Sequence, residues 1–266
     1  MILFDWDDTL CPTTHLFQSG FRLETELTEE IRLELDQIEA SVCRLLEHAC
    51  QFGDVHIVTN GQTGWVELSA KKFLPKVVPI LAKINVVSAR STFEGMFPGC
   101  PLKWKFYAFR ENLSSSFAYS KLHRNVMSFG DSHYEREAIQ TVTQGLPNTY
   151  TKSVKFTERP SLDQLRRQVD LIASCFDAIE SHDGNLDLQL TVSFPEDGAA
   201  NPDEVDAASA AAPATDASPN SATGAAADAM LASSAAAASH AAPVSAASKI
   251  AQQQQQAAAH RAALAL

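Results

Sequence analysis

The sequence predicts an α/β domain, in which helices cover both faces of a parallel sheet, followed by a disordered tail. Over residues 1–195 short apolar runs alternate with amphipathic stretches, and such strand–helix alternation is typical of a parallel sheet. From Asn201 to Leu266 there is no aromatic residue and alanine dominates. This stretch has too little large apolar surface to offset the entropy of ordering it. We therefore expect a folded domain over residues 1–195 and a disordered Ala/Ser/Pro/Gln-rich tail over residues 196–266.

The first half of the folded part contains two strand–helix pairs. The predicted strands cover residues 2–4 and 55–58, and the predicted helices cover residues 28–50 and 64–73. Thr28 is a suitable N-cap for the long helix, and Thr59-Asn60-Gly61 is a turn that ends the second strand. We interpret Trp65 and Phe73 of the second helix as core residues rather than as a platform for a substrate.

The second half repeats this alternation. Strands are predicted at 85–88, 125–129 and 153–157, and helices from about residue 102, at 133–141 and at 161–179. Residues 91–101 read as a Gly/Pro-rich loop, and Leu186, Leu188, Leu190 and Val192 alternate with polar residues as in an edge strand. The whole pattern predicts a Rossmann-like fold.

Polar residues follow four of the predicted strands, where each strand ends. They are Asp5, Thr59, Ser88 and Asp131. Ligands of open parallel sheets bind outside the carboxyl ends of the strands, so these side chains are expected to converge on one site. Three of the four are residue types that hold a metal ion or a phosphate group.

The two carboxylates Asp5 and Asp7 follow the first strand, two residues apart. A carboxylate attacks phosphorus to form an acyl phosphate when a cation offsets the repulsion between the two anions. A second acid nearby can protonate the leaving oxygen and later deprotonate the attacking water. The alternative interpretation is an acid-rich, solvated surface turn.

Four segments, in order, resemble the motifs of the haloacid dehalogenase superfamily. The D-x-D-x-T motif after a strand is matched by Asp5-Trp6-Asp7-Asp8-Thr9, and the strand ending in Thr or Ser by Ile57-Val58-Thr59-Asn60-Gly61. The lysine that opens a helix is matched by Lys103 or Lys105, and the acidic motif after a later strand by Gly130-Asp131-Ser132-His133-Tyr134-Glu135. The match covers residues 1–140, and four motifs in the right order disfavour the surface-turn interpretation.

The resemblance implies catalytic roles. Asp5 would be the nucleophile and Asp7 the general acid and base. Thr59 would bind the transferred phosphoryl group, with Asn60 and Gly61 beside it on the substrate side. A carboxylate in the position of Asp7 points to phosphoester hydrolysis rather than to dehalogenation.

The resemblance also implies a Mg²⁺ cofactor. Its ligands would be Asp5, the backbone carbonyl of Asp7 and Asp131, with Glu135 in support. Hard oxygen ligands of this kind suit magnesium.

Two lysines compete for the role of neutralising the site. Lys103 and Lys105 are two residues apart, so on a helix they point in different directions. We favour Lys105, which lies deeper in the predicted helix and shares a face with Phe109 at i+4.

Neither residues 10–54 nor residues 61–102 are long enough for an independent cap domain. An uncapped site does not enclose a small metabolite unaided, so we expect either a large phosphoester such as a phosphoprotein as substrate or a partner that supplies the lid. A small molecule is the alternative substrate. The non-enzymatic alternative is a catalytically idle domain that serves as a binding scaffold.

The net charge of −11 argues against nucleic acid and against an anionic membrane as partners. Five cysteines, an odd number with no C-x-x-C pair, favour reduced thiols. No signal peptide and no apolar run of membrane-spanning length is recognisable. The sequence therefore predicts an intracellular, cytoplasmic protein.

Overall fold

The computed structural model describes residues 1–117 and 123–191, and for residues 115–117 the backbone only. The predicted disordered tail, residues 196–266, and Val192 of the predicted edge strand lie outside the described residues. All the described residues belong to one compact unit.

Six strands form one all-parallel sheet. They are β1 (Ile2–Phe4), β2 (Val55–Thr59), β3 (Asn85–Ser88), β4 (Arg124–Gly130), β5 (Thr149–Lys155) and β6 (Leu186–Gln189). Their order is β3-β2-β1-β4-β5-β6, which is that of a doubly wound, Rossmann-like sheet. In this register Phe4 of β1 lies beside Ile57 of β2 on one side and beside Phe129 of β4 on the other. The direction of winding therefore reverses at β1.

Eight α-helices are found among the described residues. They are α1 (Thr13–Gln18), α2 (Glu29–Ala49), α3 (Trp65–Phe73), α4 (Val78–Leu81), α5 (Ala89–Phe93), α6 (Pro101–Phe117), α7 (His133–Thr143) and α8 (Leu162–Ser181). The predicted N-cap, Thr28, accepts a hydrogen bond from the backbone N–H of Ile31 at 3.4 Å. Ser132 and Ser161 start α7 and α8 with capping boxes, in which side chain and backbone satisfy each other.

Alternation along the strands divides the core into two layers. Ile2 and Phe4 of β1 pack with residues of α2, α3 and α8 in one apolar cluster. Leu3 packs with residues of α5, α6 and α7 in a second cluster. Because successive strand residues point to opposite faces, helices cover the sheet on both sides. The α/β class with a parallel sheet is thus confirmed.

The structure differs from the predicted elements in several places. Helix α4 was not predicted, since it has only four residues. Helix α1 was not predicted, since it has only six residues and follows Pro12. Helix α5 occupies five residues, three of which fall in the predicted loop 91–101. Strand β5 begins at Thr149, four residues before the predicted start, because its first half is polar and lacks the apolar signal that identifies a buried strand.

The segments that connect the strands carry no separate cap among the described residues. Helices α1 and α2 lie between β1 and β2, and α3 and α4 lie between β2 and β3. Within residues 1–117 and 123–191, no helix is both long and apolar enough to cross a bilayer.

Candidate functional site

Two carboxylates flank the point where the sheet reverses its winding. Asp5 directly follows β1 and Asp131 directly follows β4, and these two strands are hydrogen-bonded neighbours. The backbone N–H of Asp5 donates to the carbonyl of Phe129 at 2.8 Å, which holds the chain in register just beyond the end of β1. A crevice outside the carboxyl ends of the strands at such a switch point is the usual ligand site of this architecture.

Lys105 of α6 reaches this crevice from the helical layer and is completely buried. Its Nζ lies 2.7 Å from Asp5 Oδ1 and 2.8 Å from Glu135 Oε1, and it donates a hydrogen bond to the carbonyl of Val58 at 2.6 Å. Lys103 is instead exposed and lies over the ring of Phe97. Of the two candidate lysines, the structure places Lys105 against Asp5.

Glu135 is held from two sides. Besides its ion pair with Lys105, its Oε2 accepts a hydrogen bond from the backbone N–H of Ser132 at 3.2 Å as part of the α7 capping box. Gly130 allows the side chain to pass, because a Cβ at that position would lie 2.5 Å from Glu135 Cγ. The end of β4 and the start of α7 therefore place Glu135 beside the lysine.

The variant Gly130→Ala is expected to lose about 1–3 kcal/mol of stability and to displace Glu135 from Lys105, since the new methyl group overlaps the glutamate side chain. Chemical denaturation measures the loss. Gly95→Ala is the matched control, because a Cβ there meets no atom within 4 Å. Equal stability of the two variants would contradict the close approach at Gly130.

Asp7 lies in the turn that follows β1, and its carboxylate is directed toward the end of β2 and the start of α3. Its Oδ2 accepts a hydrogen bond from Thr59 Oγ1 at 3.2 Å, and its Oδ1 accepts one from Trp65 Nε1 at 2.8 Å. Thr59 in turn accepts from the backbone N–H of Gly61 at 2.8 Å. Asp7 is therefore linked to the end of β2 and to the start of α3.

The remaining predicted residues lie at the carboxyl ends of β2 and β3. Asn60 Oδ1 is buried and has no hydrogen-bond partner in the described part of the chain. The carbonyl of Gly61 accepts a hydrogen bond from Ser88 Oγ at 2.6 Å, and the same Ser88 oxygen accepts from the backbone N–H of Ser91. Ser88 thus ties two loops together and caps α5, so the structure gives it a supporting position.

Burial dominates the electrostatics of the cluster. It raises the pKa of Asp5 to about 7, against the opposing attraction of Lys105 and with added repulsion from Glu135 and Asp7. Burial and repulsion from Asp5 and Glu135 raise the pKa of Asp131 to about 8. Burial would also raise the pKa of Glu135, but the ion pair with Lys105 outweighs it and holds that pKa below its ordinary value. Lys105 thus lies at nearly equal distances from two buried carboxylates, 2.7 Å from Asp5 and 2.8 Å from Glu135, and favours the ionised form of both.

Three of the four predicted metal ligands present their carboxylates to one another. Oxygen atoms of Asp5, Asp131 and Glu135 all lie within 4.8 Å of one another. When ionised they carry three negative charges against the single positive charge of Lys105. This all-oxygen donor set with excess negative charge fits a hard divalent cation, whereas the carboxylate of Asp7 points to Thr59 and Trp65 instead.

Comparison with family models, curated proteins and solved structures finds no match to this chain.

Trp65 is the residue at this site whose contact the sequence did not predict. It packs against the core, as expected, but its indole N–H is directed at Asp7. No local pattern indicates this contact, because Trp65 and Asp7 are 58 residues apart in the sequence.

Proposed function

We propose that this protein is a magnesium-dependent phosphomonoesterase of the haloacid dehalogenase type, which works through an aspartyl-phosphate intermediate. The observation that carries the proposal is the position of Asp5 at the switch point of the sheet, paired with the buried ammonium of Lys105. A carboxylate nucleophile needs such a fixed positive charge to approach an anionic phosphate.

In the first step, a carboxylate oxygen of Asp5 attacks phosphorus and the bond between phosphorus and the ester oxygen breaks. Asp7 in its protonated form gives its proton to the departing oxygen, which leaves as an alcohol. Lys105 balances the negative charge that gathers on Asp5 and on the phosphoryl oxygens.

In the second step, Asp7 takes a proton from water, and the resulting hydroxide attacks phosphorus. The bond between phosphorus and Asp5 breaks, phosphate leaves, and both carboxyl groups return to their starting states. Asp5, Asp131 and Glu135 would hold the Mg²⁺ ion, with the backbone carbonyl of Asp7. When bound, the ion supplies charge neutralisation at the phosphoryl group. Asn60 and Gly61 would lie on the substrate side. Asn60 Oδ1 is buried and has no partner in the described part of the chain.

The substrate class we propose is a phosphoprotein or another large phosphoester. The described residues form one compact unit with no separate cap domain over the carboxyl ends of the strands. Without a lid of its own, the site depends on the substrate to exclude water, and a macromolecular surface does this better than a small metabolite.

The test is hydrolysis by the full chain of p-nitrophenyl phosphate, a panel of phosphopeptides and a panel of sugar phosphates, each with Mg²⁺ and with EDTA. We expect Mg²⁺-dependent release of phosphate, with kcat/KM highest among the phosphopeptides. Efficient turnover of sugar phosphates alone would overturn the substrate class. No turnover of any substrate by the folded protein would favour the binding-scaffold alternative.

Mg²⁺ is expected to stabilise the protein, and to do so more at pH 8 than at pH 6. The pKa values of Asp5 and Asp131 rise from 3.8 to about 7 and about 8 on folding. The ion-free folded protein therefore binds protons that the unfolded chain has already released, and it loses stability as the pH rises through this window. A bound cation replaces those protons, so its affinity increases with pH.

Thermal unfolding at both pH values, with Mg²⁺ or with NaCl at equal ionic strength, measures this effect. We expect a rise in Tm of about 3–6 °C at pH 8 for a saturating ion, and a smaller one at pH 6. Asp131→Asn is expected to reduce the increment. An equal rise in Tm with Mg²⁺ at both pH values would contradict the proposed coupling of ion binding to proton release.

A further inference from the structure

Two indole groups link helix α3 to the turn that contains Asp5 and Asp7. Trp6 Nε1, from the turn, donates to Ser69 Oγ of α3 at 2.8 Å. In the opposite direction, Trp65 Nε1 of α3 donates to Asp7 Oδ1 at 2.8 Å. The first contact is buried and fixes the backbone of the turn, whereas the second reaches the carboxylate itself.

The position of Trp65 depends on the absence of a side chain at Gly61. A Cβ on Gly61 would lie 2.4 Å from Trp65 Cδ1 and 2.9 Å from its Cγ. On the other side, the Phe17 ring of α1 lies 5.9 Å from the indole, measured between ring centroids. The indole is therefore held between the β2 turn and α1, with its N–H directed at Asp7.

With Thr59 on the other oxygen, both oxygens of Asp7 accept a hydrogen bond from a fixed donor. The two hydrogen bonds restrict rotation of the Asp7 carboxyl group. Each of its oxygens retains a second lone pair, which can still carry the proton that is transferred. We propose that Trp65 is a positioning residue, which holds the Asp7 carboxyl in the orientation for proton transfer to the leaving oxygen. This inference rests on the proposed function and deepens it.

The dependence of kcat/KM on the basicity of the leaving group distinguishes a positioning role of Trp65 from a role in packing alone. A nitrophenolate departs without much help from an acid, whereas a more basic oxygen requires its proton, so misplacing Asp7 harms the second kind of substrate most. The parameter kcat/KM reports the steps up to departure of the alcohol, so it includes this proton transfer and excludes the later hydrolysis of the intermediate. A general loss of folding would lower kcat/KM for all substrates by the same factor.

The experiment measures kcat/KM of the full chain and of Trp65→Phe for a series of substituted phenyl phosphates of increasing leaving-group basicity. We expect a loss of about 3-fold for p-nitrophenyl phosphate and of about 30-fold or more for the most basic leaving group. Trp104→Phe is the matched control, because Trp104 donates its indole N–H to the carbonyl of Phe97, at 2.7 Å, away from Asp7. Its loss is expected to be uniform across the series.

A second variant covers the case in which Trp65→Phe does not fold. Gly61→Ala keeps the indole but displaces it, and its Cβ also lies 3.2 Å from Thr59 Oγ1, so it disturbs both donors to Asp7. We expect the same steeper dependence on the leaving group. A uniform loss in both variants, or none, would overturn the positioning role while leaving the phosphatase proposal intact. Absence of turnover in the unmodified protein would contradict both the phosphatase proposal and the positioning role of Trp65.

Discussion

Asp5→Asn is expected to abolish Mg²⁺-dependent phosphate release, with a fall in kcat on the order of 10⁴-fold or more. The neutral amide is a poor nucleophile and also leaves Lys105 without one of its two ion-pair partners, the one 2.7 Å away. Because the substitution is nearly isosteric, the fold should persist. Steady-state turnover of p-nitrophenyl phosphate, together with circular dichroism of the same sample, measures both properties.

Asp8→Asn is the matched control within the same turn. Asp8 Oδ1 accepts a hydrogen bond from the backbone N–H of Thr14 at 2.9 Å, which an asparagine oxygen can also accept. Its backbone has φ +54°, a left-handed conformation that asparagine tolerates well. We expect turnover within about 5-fold of the unmodified protein. If Asp5→Asn lost no more activity than Asp8→Asn, the assignment of the nucleophile would be wrong.

Lys105→Met is expected to have the second-largest effect, on both activity and stability. It leaves Asp5 and Glu135 buried without their shared cation, and breaking a buried ion pair in this way costs about 3–5 kcal/mol. In the proposed mechanism Lys105 faces the phosphoryl group, so loss of its charge is expected to lower kcat by about 10²–10³-fold. Urea denaturation and steady-state kinetics give the two values.

Lys103→Met is the matched control. Lys103 is exposed and lies over the Phe97 ring, and no ion pair of Lys103 is found among the described residues. Changes within about 0.5 kcal/mol and about 2-fold in kcat are expected for an exposed residue of this kind. Full activity in Lys105→Met, with the loss appearing in Lys103→Met, would reverse the assignment of the active-site lysine. If Lys105→Met folds only when Mg²⁺ is added, the ion is replacing the missing positive charge.

Local chemistry determined most elements of the fold. Helix α2 starts after Thr28, as its N-cap and the spacing of its apolar residues predict. The polar residues Asp5 and Asp131 end up together because each directly follows a parallel strand, and parallel strands end at the same edge of the sheet. Short or polar elements escaped prediction, as α1 and the first half of β5 show, because their signal lies in packing against other parts of the chain.

The sequence by itself determined the parallel α/β architecture and the edge of the sheet at which the candidate site lies, because both follow from periodicity along the chain. Tertiary structure decided which groups meet there. Lys105 is 100 residues from Asp5, and only the docking of α6 against the sheet brings its Nζ to 2.7 Å from the carboxylate. The bond between Trp65 and Asp7 spans 58 residues and requires the close approach that Gly61 permits. Contacts of this range depend on the packing of whole elements, which a local pattern does not encode.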